Sequence, residues 1–329
     1  MLNYLDLSTT DPAWNLAVEE YVFDKLPRDR MYVMLWQNDN AIIIGKHQNT
    51  LAEINEAFVR ENGIRVVRRL SGGGAVYHDM GNLNFTVIAD AAADGLDFGR
   101  FCDMVLAALE RVGIQGERNG RNDMTIGGKK FSGNAQYIRQ GRVMHHGTLL
   151  FDSNTAMLSG ALKVDKEKIQ AKGVKSVRSR VTNIRPLLPR DMTLPQFRQV
   201  LLESILHRLP GSEYVLTPGD LVEIEARKQA RYDTWDWNYG HSPACTFSKK
   251  ARFEGCGTVE VFLSMAQSRI QDVSFRGDFF AAEDPAALVS LLKGCALEPA
   301  DLEAALENTE IARFFMGLGK EQFLSLLLS

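Results

Sequence analysis

The segment Arg68-Arg69-Leu70-Ser71-Gly72-Gly73-Gly74-Ala75-Val76-Tyr77-His78-Asp79 sets two adjacent guanidinium groups and three consecutive glycines between apolar runs. Val66, Val67 and the run Leu83 to Ile88 read as strands, which places the glycines in a connection. Without side chains, the backbone there can approach a ligand closely and offer it several N–H groups. Guanidinium forks pair phosphate or carboxylate bidentately, so the composition suits an anion. A flexible turn beside a solvated arginine pair uses the same residues. The spaced glycines of the dinucleotide fingerprint and the Gly-Lys-Ser/Thr of a P-loop are both missing, so any nucleotide cradle here is of another kind.

A second segment, Asn122-Asp123-Met124-Thr125-Ile126-Gly127-Gly128-Lys129-Lys130-Phe131-Ser132-Gly133-Asn134-Ala135-Gln136, carries the signal of a two-residue hairpin at Gly127-Gly128. Lys129 and Lys130 open the returning strand. Side chains alternate across a strand, so one lysine faces solvent and the other faces inward, where Ser132, Gly133 and Ala135 leave room for a ligand. The competing reading is an exposed lysine pair after a turn. In His145-His146-Gly147-Thr148-Leu149-Leu150-Phe151 the adjacent histidines point to opposite faces, which makes them a poor metal pair and leaves one as a hydrogen-bonded wall residue.

These residues must be held by elements that the sequence also marks. Thr10-Asp11-Pro12 starts a helix whose apolar stripe is Trp14, Ala17, Val18, Tyr21, Val22 and Leu26. Strands are expected at Tyr32 to Trp36, Ala41 to Ile44, Arg65 to Leu70, Leu83 to Ala89, Asp123 to Ile126, Lys130 to Arg139 and Val143 to Phe151. Helices are expected at Asn55 to Asn62, Gly99 to Val112 and Leu194 to Leu209. Many turns and few helical crossovers give an α+β fold with a largely antiparallel sheet. From Phe247 the texture changes to short strands followed by helices, a smaller C-terminal α/β domain. Tyr239-Gly240-His241-Ser242-Pro243 marks the boundary, so residues 1–243 and 247–329 are the expected domains.

The chain has 329 residues, 45% hydrophobic and 24% charged, with a formal net charge of −3. That length supports about two domains with real cores. The charge excludes a globally basic nucleic-acid binder. No apolar run approaches the roughly 18 residues of a membrane span, and Met1 to Pro12 has neither the basic nor the apolar region of a secretory signal, so a cytoplasmic protein is expected. Cys102, Cys245, Cys256 and Cys295 show no C-x-x-C spacing, against a zinc ribbon or a disulfide framework.

Taken in order, RRLSGGGAVYHDMGNLNF, GRNDMTIGGKKFSGNAQ, HHGTLLF and AKGVKSVRSRVTNI resemble the lipoate–protein ligase A family. The likeness begins at Trp14-Asn15-Leu16-Ala17-Val18-Glu19-Glu20 and includes Trp235-Asp236-Trp237-Asn238-Tyr239-Gly240, nearly the whole chain. It implies the biotin/lipoate-ligase catalytic fold, related to class II synthetases. It further implies a two-step reaction: lipoate and ATP, with Mg2+, give lipoyl-adenylate and pyrophosphate, and an acceptor lysine then takes the lipoyl group. The implied acceptors are lipoyl domains of 2-oxoacid dehydrogenase E2 subunits and the glycine-cleavage H protein.

By position, the resemblance assigns ATP to Arg69, Gly74, Ala75, Val76, Tyr77 and Lys130, and lipoate to Lys130, Ser71, Gly73 and His146. Lys172 and Gly173 fall in its adenylate-covering segment, and no metal ligand is assigned. Leu70 and Tyr77 depart from the small polar residue and the Phe common in the family. The stretch Lys163 to Arg180 holds seven basic and two acidic residues, a formal +5. It reads as a loop that closes over adenylate and meets an acidic partner, or as a solvated helix face; a nucleic-acid patch would need interleaved aromatics. Two other function classes use the same fold: an acyltransferase with a thioester on cysteine, and a non-catalytic lipoate or biotin binder that would not need Lys130. A biotin ligase fits less well, because its adenylate loop has a different sequence.

Overall fold

The structure, a computed structural model, describes residues 2–90, 99–120, 122–162, 181–240, 247–266 and 269–328. Lys172, Gly173, the rest of the basic stretch and the 241–243 boundary lie outside the described residues.

Asp11 caps the helix Pro12–Lys25, its carboxylate accepting from Ala13 N at 2.9 Å and Trp14 N at 3.4 Å. The apolar stripe of that helix suggests one buried face, yet eleven of its fourteen residues are buried. The helix Pro218–Arg227 and the π-helical segment Lys228–Tyr232, elements outside the sequence expectations, cover its second side. Glu19 and Glu20 are thereby buried and must be partnered. Glu20 takes Arg231 at 2.7 Å, and Glu19 takes His146 at 2.9 Å.

The chain runs through β1 (Leu2–Asp6), β2 (Met31–Trp36), β3 (Ala41–Ile44), β4 (Arg65–Arg68), β5 (Val76–His78) and β6 (Asn82–Asp90). It continues through β7 (Glu117–Asn119), β8 (Asp123–Ile126), β9 (Lys129–Arg139), β10 (Arg142–Leu150) and β11 (Gly211–Glu213). An eight-stranded sheet has the order β11-β1-β2-β6-β10-β9-β8-β7, antiparallel apart from the β11-β1-β2 edge. The architecture is α+β with a largely antiparallel sheet, as the pattern of turns implies.

The strands that flank the glycines are not neighbours, since β4 belongs to a separate three-stranded sheet of order β4-β3-β5, while β6 lies in the large sheet. The short strand Val76–His78 comes between them and pairs with β3, so the glycines carry the chain across β3 from one edge of the small sheet to the other. Helices Gly99–Arg111 and Leu194–Arg208 seal one face of the large sheet around Phe85, Phe131, Phe151 and Phe197. Its other face, bearing Met34, Trp36 and Ile88, receives the helix Pro12–Lys25 and the small sheet.

The C-terminal strands β12 (Phe247–Phe253), β13 (Gly257–Ala266) and β14 (Arg269–Gly277) form an antiparallel meander, whose core with the following helices is built, among the described residues, from the segment between Ala251 and Leu327. This unit reaches back to the glycine loop. Gly73 N donates to Phe279 O at 3.2 Å, Gly277 N donates to His47 O at 2.6 Å, and the Phe279 ring stacks on His47 at 4.6 Å. A Cβ on Gly72 would lie 2.3 Å from Phe279 O, so at Gly72 the missing side chain admits another part of the protein. Among the described residues no helix is long and apolar enough to cross a membrane.

Candidate active site

Between the large and small sheets lies a cavity of about 110 Å³. Its floor is a row of paired residues across the large sheet, Trp36 on β2, Asn84 on β6 and Thr148 on β10, continued by Gly133 on β9, whose N–H bonds Thr148 Oγ1 at 3.3 Å. Its roof is Ile43, Val76 and His78 with the loop Gly73 to Ala75. The cavity thus runs across strands, from Trp36 and His78 at one end to Lys130 and Asn122 at the other.

Lys130 is placed by the hairpin. Gly127 and Gly128 take φ of 55° and 75°, the conformation a two-residue turn of this kind requires. Lys129 is exposed and Lys130 lines the cavity, the division that strand alternation predicts. A Cβ on Gly133 would sit 2.9 Å from Lys130 Nζ, so this glycine makes the space that the ammonium occupies. Asp123 pairs with Lys130 at 2.7 Å. Thr125 pairs with Lys130, and alternation along β8 puts Asp123 on the same side as Thr125, so the spacing within Asp123-Met124-Thr125 carries this pairing in the sequence.

The two arginines do different things. Arg68 is 1% exposed, and its guanidinium donates to the carbonyls of Gly45, Lys46, Gln48, Trp237 and Asn238 and to Thr50 Oγ1. It does not line the cavity, so the expectation of a paired guanidinium site for an anion is wrong for Arg68. It clamps the loop after β3 onto the end of the short helix Trp235–Asn238. Arg69 does line the cavity, while its donors go to Ile43 O, Gly72 O, Gly74 O and Ser71 Oγ, which curls the glycine loop around a buried cation.

Of the other expected residues, Gly73, Gly74, Ala75, Val76 and His146 line the cavity. Ser71 and Tyr77 do not. Ser71 is 1% exposed and bonds His146 Nε2 at 2.6 Å, and Tyr77 packs in the core under the small sheet with its hydroxyl donating to Asn40. Leu70 is core. Glu19, His146 and Ser71 form a relay of the kind that activates a serine, but Ser71 accepts from Arg69 Nε at 3.0 Å and faces away from the cavity. The relay therefore holds His146 and the glycine loop in place and offers no nucleophile. His145, on the opposite face, stacks on Phe85 and is held by Gln136 and Asn134.

A family model for the lipoyl protein ligase A/B catalytic domain matches residues 11–206, and one for the bacterial lipoate protein ligase C-terminus matches residues 242–327. A lipoate–protein ligase of Bacillus subtilis (strain 168) is 43% identical over 323 residues, 96% of this chain and 97% of the relative. The chain belongs to the lipoate–protein ligase family. It is an enzyme, a ligase. Two solved structures resemble this ligase. P. falciparum LipL1 in complex with lipoate shares its fold, with TM-score 0.81, 23% identity and coverage of 100% of this chain and 98% of that one. A lipoate–protein ligase A bound with ATP has TM-score 0.63 and 26% identity over 73% of this chain and 98% of that one.

Burial has a titration consequence for this ligase. It pushes the imidazoles of His47, His78 and His145 down to about 3, aided at each by a nearby cationic or imidazole group. All three are neutral in the fold, whereas the unfolded chain protonates them below about 6.5. Their contribution to stability is therefore complete above pH 6.5 and is lost as pH falls towards 3, by about 1.4 kcal/mol per pH unit for each. Denaturant unfolding followed between pH 7 and 5 is expected to show this steep decline, and an unchanged midpoint would mean that the imidazoles are not held neutral.

Proposed function

We propose that the chain joins lipoate to ATP, giving lipoyl-adenylate and pyrophosphate, and then passes the lipoyl group to a lysine of an acceptor lipoyl domain with release of AMP. One observation carries this reading: the Lys130 ammonium stands at one end of a narrow, largely apolar cavity that begins under a glycine loop. In the first step a lipoate carboxylate oxygen attacks the α-phosphorus as the bond to pyrophosphate breaks. Negative charge gathers on the α-phosphoryl oxygens, and a fixed ammonium stabilises it. Lys130 thus acts electrostatically. Gly74, Ala75 and Val76 bound the nucleotide side, with Tyr77 anchoring the strand behind them and the Arg69 charge behind the loop. Gly73 and His146 bound the lipoate side, and Ser71 steadies His146. In the second step the acceptor amine attacks the acyl carbon and AMP leaves with the electron pair.

Among the described residues no group of three or more His, Cys, Asp or Glu side chains could hold a metal. A Mg2+ would therefore arrive as the ATP chelate, held mainly by phosphate and water. Residues 1–243 are the catalytic unit in this reading and 247–329 an accessory unit. The acceptors are lipoyl domains of 2-oxoacid dehydrogenase E2 subunits and the glycine-cleavage H protein, and a cytoplasmic setting goes with the use of ATP. Lipoate-dependent exchange between ATP and labelled pyrophosphate tests the first step, and the reading fails if none occurs.

A thioester-forming transferase would need a cysteine in the cavity. Cys102 and Cys256 are buried and Cys295 lies in the C-terminal unit; none of the three lines the cavity. Replacing Cys102, Cys245, Cys256 and Cys295 together by Ala is expected to leave ATP-dependent lipoylation measurable, at some cost in packing around the buried Cys102 and Cys256. ATP-independent transfer from an acyl-carrier donor, abolished by one of these changes in a folded protein, would reverse the assignment.

A further inference from the structure

Counted from the Gly127-Gly128 turn, Lys130 falls on the inward side of β9; counted from the other end of the strand, it falls on the opposite side. Ala135 lines the cavity and Tyr137 packs on the same side of the sheet, while the side chains of Asn134 and Gln136 reach His145 on the face that the helices Gly99–Arg111 and Leu194–Arg208 cover. By that alternation Gly133 and Phe131 belong to the cavity and Lys130 to the helix side. Gly133 does line the cavity, yet Phe131 lies in the core under the helices and Lys130 in the cavity. The exchange is made by a β-bulge. Met124 pairs with Ser132 and Thr125 with Lys130, which leaves Phe131 as an extra residue in β9. One added residue in a strand of period two sends the next side chain to the other face.

The ladder with β10 ends at the pair Asn134–Gly147. Beyond it β9 is held by β8, by Thr148 Oγ1 at Gly133 N and by Thr182 N, which donates to Lys130 O at 2.8 Å. At that last pair Asn122 and Asn134 clasp one another. Asn134 N and Nδ2 both donate to Asn122 O, at 2.9 and 3.1 Å, and Asn122 Nδ2 donates to Asn134 O at 2.8 Å. A carbonyl only accepts, so the Asn134 amide nitrogen points to it and Oδ1 points away. Asn134 Oδ1 then accepts from His145 Nε2 at 3.1 Å, and His145 Nδ1 accepts from Gln136 Nε2 at 2.9 Å. His145 is fully buried and stacked on Phe85, so the row Gln136, His145, Asn134, Asn122 donates in one direction and has little freedom to turn. Next to Asn122 stands Asp123, the partner of the Lys130 ammonium. Resting on the activity proposed above, we infer that Asn134, held by His145, is a positioning residue: it locks the register of β8 on β9 beside the bulge and so turns Lys130, rather than Lys129, towards the reacting groups.

A double-mutant cycle on lipoate-dependent ATP–pyrophosphate exchange tests this, with Asn134→Leu and His145→Phe each made in the wild type and in Lys130→Ala. Both changes keep bulk and remove the hydrogen bonds. In the wild type each is expected to lower kcat/KM by about tenfold or more, the scale for a misplaced catalytic group. In the Lys130→Ala background the same change is expected to cost less than about twofold, because there is no ammonium left to misplace. A merely structural role would lower the rate by the same factor in both backgrounds, since loss of folded protein multiplies every rate alike. His145→Gln, whose amide can still donate to Asn134, is expected to keep more activity than His145→Phe, and the His145 variants decide alone where Asn134→Leu does not fold. The inference is overturned if the single variants exchange normally, if their factors are equal with and without Lys130, or if Lys130→Ala itself exchanges normally. Failure of the underlying activity looks different, since then the wild type shows no lipoate-dependent exchange.

Discussion

Lys130→Ala is expected to lower lipoate-dependent ATP–pyrophosphate exchange by about two to three orders of magnitude, the scale for loss of one preorganised electrostatic donor. The size follows from how the ammonium is held. It enters the cavity through the space at Gly133, and Asp123 fixes it at 2.7 Å, so little reorganisation is needed when charge develops on phosphate. Removing a partly exposed side chain from a hairpin leaves no large void, so the fold should persist. Lys129→Ala is the matched control, because that side chain is exposed on the other face of β9. Near-normal exchange by a folded Lys130→Ala protein would remove the proposed role.

Arg68→Leu should instead act on stability, by about 3–5 kcal/mol, the range for stripping partners from several buried polar groups at once. The guanidinium satisfies carbonyls of Gly45, Lys46, Gln48 and Trp237, and Leu can bond none of them. Desolvation holds the Arg68 pKa down at about 10, which still leaves it charged near neutrality. Urea unfolding should show the loss. The KM for ATP of the remaining folded enzyme should move little, since Arg68 is outside the cavity. A raised KM with unchanged stability would return Arg68 to the anion-binding role that its neighbourhood first implies.

The contrast between Arg68 and Arg69 marks how far sequence reasoning reaches. Adjacent, chemically identical and beside the same glycines, they are separated by the family resemblance, which singles out Arg69, but not by local pattern. Lys129 and Lys130 are separated by pattern, because a Gly-Gly hairpin fixes alternation within a few residues and therefore which lysine turns inward. For the arginines the deciding groups are the carbonyls at 45–48 and 237–238, far away in the chain.

By itself the sequence determined what depends on neighbours in the chain. The Asp11-Pro12 helix start, the β8–β9 turn, the opposed faces of His145 and His146, the α+β class and the ordered motifs that mark the ligase family were all legible, since capping, turn chemistry and alternation act over a few residues. Tertiary structure alone decided the rest. It placed β4 and β6 in different sheets, buried the helix Pro12–Lys25 on nearly all sides, set Ser71 behind the cavity wall, and brought Phe279 against Gly72 and Gly73. The physical reason is common to all of these. Burial and hydrogen-bond satisfaction are properties of groups that meet in space from distant parts of the chain, and local pattern does not encode which groups will meet.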